Sequence, residues 1–246
     1  MSLQSILIVP DTHVPFHDKR AWELMMKVGK DLKPSVVVVV GDFLDCYSVS
    51  SHSKDPSRAL RMPEEIAEGK AKLRDLVGLK PSRKIYIAGN HEDRLRRYLQ
   101  DKAPELFGVV DIPSLLELPK DKWEYIPYQS AVKIGKVHFT HDVGNSGRYS
   151  TQKALDIFQG SVVVGHSHRL SYVVEGNAKG EMKVGAQFGW LGDSSKIDYL
   201  HQVKVKTNWA LGFGIGYVED KTGTVYLTPV PIVQYKCVVA GKLYAA

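Results

Sequence analysis

The sequence predicts an α/β fold in which two packed mixed β-sheets are flanked by helices. Residues 36–40 are five consecutive valines, a run typical of a strand that is buried on both faces in a parallel sheet covered by helices. The first half of the chain alternates short apolar runs with helical patterns, as βαβαβα, and the second half is mostly β. This succession predicts two sheets packed together, with helices outside and polar clusters at the strand ends.

In the first half, each element follows from its own apolar spacing. Residues 5–9 are the expected first strand, and residues 19–32 show the spacing of an amphipathic helix. Residues 47–61 are rich in serine and are expected to cross the surface, whereas 101–122 are irregular apart from short helical pieces. The remaining elements are expected at 64–76 (helix), 84–88 (strand) and 93–100 (a short, basic helix).

In the second half, the apolar period shifts toward two from Tyr125 onward. Residues 131–134 and 137–140 are separated by a Gly-Lys pair and predict a β-hairpin. A helix is expected at 150–158 and a strand at 161–164. The stretch from about 172 to 233 is rich in Gly, Val, Tyr and Thr, which predicts several antiparallel strands.

Composition limits the class of protein. The 246 residues contain no stretch that resembles an interdomain linker, so one domain spanning 1–246 is expected. No apolar run is long enough to cross a bilayer, the chain shows no secretory signal, and its two cysteines have no metal or redox spacing. A cytoplasmic protein with reduced thiols and no membrane partner is therefore expected. The formal net charge of +6 favours anionic partners, such as nucleic acid, nucleotides or phosphorylated small molecules.

Five polar clusters follow five of the apolar runs. Because the carboxyl ends of strands in an open α/β sheet meet at one crevice, these side chains are expected to lie together. Carboxylates, neutral imidazoles and one amide oxygen are ligands that suit Mn, Fe, Zn or Co. They are too many for one tetrahedral site, but their number fits two ions that share a bridging ligand. The clusters are Asp11-Thr12-His13, Gly41-Asp42-Phe43-Leu44-Asp45, Gly89-Asn90-His91-Glu92, Thr140-His141 and Gly165-His166-Ser167-His168.

In this order, the five clusters resemble the motifs of the calcineurin-like metallophosphoesterases. The resemblance covers about residues 5–170, and the motifs are specific as a set although each alone is weak. It implies a β-sandwich flanked by helices, in agreement with the fold predicted above. It also implies hydrolysis of phosphate esters at a centre of two divalent ions, with Mn as the expected metal and Fe, Zn, Co or Ni as alternatives.

The same resemblance implies a role for each cluster residue. A hydroxide between the two ions would attack phosphorus in line, and His91 would protonate the leaving oxygen. Asp45 would orient His91 or support the residues around the metals. One ion would be held by Asp11, His13, Asp42 and His168, and the other by Asp42, Asn90, His141 and His166, so that Asp42 bridges them.

Two departures within the family bear on the substrate. The protein Ser/Thr phosphatase branch has an arginine that clamps phosphate directly after the second Asp of its GDxxD motif, and Cys46 stands at that place here. The last cluster has the His-x-His form typical of phosphodiesterases and nucleases. A diester carries one charge less than a monoester, so a site with fewer fixed arginines favours a phosphodiesterase or nuclease. The candidate substrate-binding residues are Arg94, Arg97 and His52.

Two other functions stay open at this point. A phosphomonoesterase acting on proteins or small molecules is favoured by the Gly-Asn-His-Glu form of the third cluster. A non-catalytic scaffold is disfavoured, because every expected ligand is present. Residues 190–209 interleave aromatic side chains with lysines, and for a nucleic-acid substrate they would offer stacking platforms on a basic path. The alternative is an antiparallel sheet with one solvent-exposed face. These residues are Trp190, Lys196, Tyr199, Lys204, Lys206 and Trp209.

Overall fold

In the computed structural model, the described residues are 2–51, 61–196 and 208–246. Among them, no helix combines the length and the apolar character needed to cross a bilayer. The helices are α1 (Lys19–Leu32), α2 (Met62–Val77), α3 (Glu92–Lys102), α4 (Ile112–Leu115) and α5 (Ser150–Phe158). The strands are β1 (Leu3–Val9), β2 (Val36–Val40), β3 (Arg83–Ile87), β4 (Trp123–Ile126), β5 (Val132–Ile134), β6 (Val137–Phe139), β7 (Val162–Val163), β8 (Leu170–Gly176), β9 (Met182–Phe188), β10 (Gly212–Glu219), β11 (Val225–Pro231), β12 (Lys236–Val239) and β13 (Lys242–Ala245).

The first sheet has the order β11-β10-β1-β2-β3-β4. Strands β1 to β4 are parallel, and β10 and β11 add antiparallel pairs on the side of β1. The five-valine strand lies inside the sheet, with Val38 paired to Ile8 on one side and to Ile85 on the other. Because both of its edges and both of its faces are covered, this strand tolerates valine at every position.

The second sheet has the order β5-β6-β7-β9-β8. Its middle strands β6, β7 and β9 are parallel, and the antiparallel strands β5 and β8 close the two edges. The hairpin predicted from the Gly-Lys turn is confirmed, with Val132 paired to Phe139 and Ile134 paired to Val137. Strands β12 and β13 form a separate two-stranded sheet.

The packing confirms two sheets with helices outside. Ile8 and Val38 from the first sheet meet Phe139 and Phe188 from the second in one buried cluster between the sheets. The opposite face of the first sheet packs on helices α1, α2 and α3, and Val37 points there with side chains such as those of Trp22, Met25, Leu73 and Leu95. Helix α5 packs on the second sheet through Ala154 and Leu155. Successive valines of β2 therefore point alternately into the two cores.

Sequence reasoning missed two elements. Strand β4 is a fourth parallel strand beside β3, and it begins directly after the stretch expected to be irregular. Its four residues are mostly half-buried because it lies at a sheet edge, so no long apolar run marks it. The β12–β13 hairpin lies beyond the last strand that was expected, and most of its residues are exposed. A single domain over 1–246 stays a prediction.

Candidate metal centre

The first group of candidate ligands gathers where β1, β2 and β7 end. Asp11, His13, Asp42 and His168 each offer one ligand atom, and these atoms lie within 4.8 Å of one another. Nε2 of His168 lies 3.2 Å from Oδ2 of Asp11 and 3.0 Å from Nε2 of His13. All four side chains are buried. The fold thus brings together the residues that were expected to hold one ion.

The second group lies beside the first and shares Asp42 with it. Ligand atoms of Asp42, His141 and His166 also lie within 4.8 Å of one another. Nε2 of His141 is 3.3 Å from Oδ2 of Asp42 and 3.1 Å from Oδ1 of Asn90. The four residues expected around the second ion therefore meet as well, with Asp42 in the shared position.

The loops that carry these ligands have unusual backbones. Non-glycine residues in the left-handed region cost about 1–3 kcal/mol each and concentrate at functional sites. Two glycines next to the ligands are sterically required: a Cβ on Gly41 would lie 2.3 Å from Nδ1 of His141, and one on Gly89 would lie 2.1 Å from Oδ1 of Asp42. Four candidate ligands have positive φ: His13 (53°), Asp42 (47°), His166 (69°) and His168 (57°).

The hydrogen bonds of two histidines leave one ring nitrogen of each directed at the cluster. Nδ1–H of His141 donates to the carbonyl oxygen of Val40 at 2.8 Å, and Nδ1 of His13 lies 3.2 Å from Oδ2 of Asp45. Histidines that bind metal usually donate their second ring N–H to an oxygen in this way. Oδ1 of Asp11 is buried and has no hydrogen-bond partner among the described residues. The donor set fits a divalent cation.

The charges at the cluster agree with this fit. Burial alone would raise the pKa of Asp42, but the neighbouring His141 and His91 hold it well below its usual range. Burial lowers the pKa of His141, yet the Asp42 carboxylate outweighs it and raises that pKa to about 10. Such a strongly negative environment attracts a metal ion in place of the proton. Together these features give a buried His/Asp cluster suited to divalent metal.

His91 and Asp45 lie at the edge of the first group. Nδ1 of His91 is 3.0 Å from the carbonyl oxygen of Asp45 and 3.3 Å from its Oδ2. Arg94, expected to bind substrate, also contacts both residues: Nη1 donates to the Asp45 carbonyl at 2.9 Å, and Nη2 lies 2.9 Å from Nε2 of His91. Burial raises the pKa of Asp45, but hydrogen bonds from His13 and His91 hold it far below its usual range.

The other expected substrate residues are placed less centrally. Arg97 lies on the outer face of α3, where Nε is 3.1 Å from Oδ2 of Asp93 and the side chain is 52% exposed. His52 lies outside the described residues, as do Tyr199, Lys204 and Lys206 of the aromatic and basic segment. The two ends of that segment meet at the site: Trp190 and Trp209 have ring centroids 4.9 Å apart, and both contact the His168 ring.

Sequence reasoning assigned no role to Glu92. Its carboxylate is buried and accepts hydrogen bonds from the backbone N–H groups of the loops after β2 and β3 and from one tyrosine hydroxyl. The donors are N–H of Asp42 (3.1 Å), Leu44 (2.8 Å) and Gly89 (2.7 Å), and Oη of Tyr86 (2.9 Å). Glu92 thereby joins the loop of Asp42 to the loop of Asn90. A carboxylate in the first turn of a helix was the available signal.

Trp190, one end of the aromatic and basic segment, packs against a candidate ligand. Its indole is 3% exposed and stacks on the His168 ring, with centroids 4.8 Å apart and an interplanar angle of 10°. Nδ1 of His168 is buried and has no hydrogen-bond partner among the described residues. The stacked indole therefore holds the orientation of this imidazole, a task that a hydrogen bond performs at His13 and His141.

Trp190→Leu should lower affinity for Mn by about 10–100-fold, the usual loss when a group that orients a metal ligand is removed. Trp190→Phe keeps a flat ring and should retain most of that affinity. Calorimetric titration of metal-free protein with Mn measures the effect, and circular dichroism checks that both variants are folded. Equal Mn affinity in folded Leu and Phe variants would show that stacking does not orient His168.

Comparisons with known proteins identify relatives, the fold and the family. The gene 54 protein of Mycobacterium phage D29 is 28% identical over 244 residues, covering 92% of this chain and 93% of the relative. The gene 54 protein of phage L5 is 27% identical over 264 residues, covering 97% and 98%. Vacuolar protein sorting 29 from Cryptosporidium parvum, with a TM-score of 0.52, 14% identity and coverage of 98% and 94%, shares the fold. The family model for calcineurin-like phosphoesterases matches residues 4–201, so the chain belongs to the calcineurin-like phosphoesterase family.

Proposed function

We propose that this protein is a metal-dependent hydrolase of phosphate esters with two divalent ions, Mn being the expected metal. The observation that carries the proposal is the shared position of Asp42 in two largely buried groups of candidate metal ligands. Asp11, His13, Asp42 and His168 would hold one ion, and Asp42, Asn90, His141 and His166 the other. When bound, such ions lower the pKa of water toward neutrality and neutralise charge on phosphoryl oxygens.

His91 is proposed as the acid that protonates the leaving oxygen. Burial lowers its pKa, but the Asp42 and Asp45 carboxylates outweigh burial and raise it, which favours the protonated form. Asp45 holds the ring through Nδ1, so Nε2 is the nitrogen that donates. Because Arg94 contacts this Nε2 at 2.9 Å, its guanidinium has to turn away, and a phosphoryl oxygen is a natural new partner for it.

The substrate is proposed to be a phosphodiester, a class that includes nucleic acid. Of the two arginines expected to bind substrate, Arg97 supports this choice because it is already paired with Asp93 on the exposed face of α3. A monoester carries more negative charge and would draw on such cations more heavily. A phosphomonoesterase is the alternative, and the position of Arg94 inside the site favours it.

The test is turnover by metal-stripped protein reloaded with Mn. The substrates are bis-p-nitrophenyl phosphate, p-nitrophenyl phosphate and single-stranded DNA, each measured with and without the metal. Hydrolysis of the bis-ester, with or without DNA cleavage, supports the phosphodiesterase. Hydrolysis of the monoester alone identifies a phosphomonoesterase. No Mn-dependent turnover of any of the three would contradict the proposal and favour a non-catalytic scaffold.

His91→Ala should slow the hydrolysis of diesters with poor leaving groups by about 10²–10⁴-fold, because the departing alkoxide is no longer protonated. Turnover of bis-p-nitrophenyl phosphate should change much less, since p-nitrophenolate departs without a proton. Rates for an alkyl and a p-nitrophenyl diester measure the difference. His138→Ala is the control, because this histidine lies in β6 and packs against Phe158 of helix α5. Equal losses with both leaving groups would exclude the acid role.

A further inference from the structure

A cavity of about 520 Å³ adjoins the metal centre. It lies between helix α3, helix α4 and the residues that follow β4. Ala88 and Glu92, on either side of the Gly89-Asn90-His91 turn, form part of its wall. Tyr128 also lines it, and the centroid of the Tyr128 ring is 6.4 Å from that of His141. Tyr128 thus lines the cavity and also lies close to a candidate metal ligand.

The charged side chains that line the cavity are already paired. Asp93 binds Arg96 through a 2.6 Å contact between Oδ1 and Nε, and Asp111 accepts the backbone N–H of Ser114 at 2.7 Å. Glu92 directs its carboxylate to the backbone donors of the metal loops. The rest of the wall is largely aliphatic and aromatic, with Leu99, Phe107, Val110, Ile112 and Tyr125 among its residues.

These properties select a class of ligand. The volume falls within the range of about 300–1,000 Å³ that is typical of small-molecule sites, which are mostly apolar with a few polar groups. A phosphate group would find no unpaired cation among the described lining residues, because Arg96 is held by Asp93. An uncharged aromatic or aliphatic group would bury its surface against Leu99, Phe107 and Val110.

We propose that this cavity binds the uncharged organic group that stays on phosphorus when a phosphodiester is hydrolysed at the adjacent centre, an inference that rests on the proposed function. The geometry favours this group over the leaving group, because the leaving group is expected beside His91, its proposed acid. The His91 ring faces Asp45 and His13, with ring centroids of His91 and His13 4.5 Å apart. The cavity instead adjoins the His141 side through Tyr128. A monoester has no such group, so an occupied cavity favours diesters.

The first measurement is binding of N-phenyl-1-naphthylamine, an uncharged probe that fluoresces in apolar sites. Val110→Trp fills the cavity and should weaken probe binding by at least about tenfold. Val109→Trp is the matched control, because the neighbouring Val109 does not line the cavity and is 74% exposed. Phe107→Ala removes one aromatic wall at a half-exposed position and should weaken binding in a protein that stays folded. Unchanged affinity in Val110→Trp and Phe107→Ala would overturn the proposal.

The second measurement uses two diesters with the same leaving group, p-nitrophenyl phenyl phosphate and p-nitrophenyl methyl phosphate. The Mn-loaded wild type and Val109→Trp should show a lower KM for the phenyl ester, and Val110→Trp should lose at least about tenfold of this preference. Turnover of both esters with the same preference in all three proteins overturns the cavity proposal alone. Turnover of neither ester by the wild type overturns the proposed phosphodiesterase activity and the cavity's substrate role together, while probe binding still tests the cavity as an apolar site.

Discussion

Asp42→Asn is expected to abolish phosphate ester hydrolysis and to prevent retention of the full metal complement. Oδ1 of Asp42 accepts the backbone N–H of His91 at 2.9 Å, and Oδ2 lies 3.3 Å from Nε2 of His141. An asparagine can keep the first bond, so the loop is retained, but it removes the negative charge shared by both ligand groups. The loss of metal affinity and of activity should exceed the roughly 10–100-fold loss that is typical when a residue that only supports a metal ligand is removed.

Metal content after dialysis and turnover of bis-p-nitrophenyl phosphate measure the two effects separately. Asp31→Asn is the control, because Asp31 is an exposed carboxylate at the end of α1 that pairs with Lys242 and Tyr244. It should bind Mn and turn over substrate as the wild type does. An Asp42→Asn protein that retains two Mn ions per chain would contradict the assignment of Asp42 as a shared ligand.

Glu92→Ala should lower the free energy of unfolding of the metal-free protein by about 3–5 kcal/mol, since each buried donor that loses its acceptor costs about 1–3 kcal/mol. The donors left behind are the N–H groups of Asp42, Leu44 and Gly89 and the hydroxyl of Tyr86. Glu92→Gln keeps the shape of the side chain, but its NH₂ group would face N–H donors and could not accept from them. We therefore expect a smaller loss of about 1–3 kcal/mol in the free energy of unfolding.

Urea unfolding of the metal-free variants gives these free energies. Glu105→Ala, at an exposed position in the turn after α3, should stay within about 0.5 kcal/mol of the wild type. The free energy of unfolding is therefore expected to be lowest for Glu92→Ala, higher for Glu92→Gln and highest for the wild type. Wild-type stability in Glu92→Ala would mean that water satisfies the backbone donors, and that this carboxylate does not hold the two loops together.

Much of the fold follows from local patterns in the sequence. Helix α1 occupies the predicted residues, and β2 follows from five valines because a strand between two covered faces needs apolar side chains throughout. Strand β4 was missed because an edge strand is only partly buried and its four residues carry little periodicity. Its place beside β3 depends on a non-local pairing, such as Tyr86 with Tyr125, that no local pattern encodes.

By itself, the sequence determined the types of ligand residues and their place after apolar runs, because both are properties of short stretches of chain. Tertiary structure decided the rest. It directs the Glu92 carboxylate to donors in two loops, stacks Trp190 on His168, and pairs Arg94 with Asp45. It also forms the cavity beside Tyr128. Except for the bond between Glu92 and Gly89, these contacts join residues distant along the chain. Their energies depend on distance and burial, which exist only once the sheets and helices have packed.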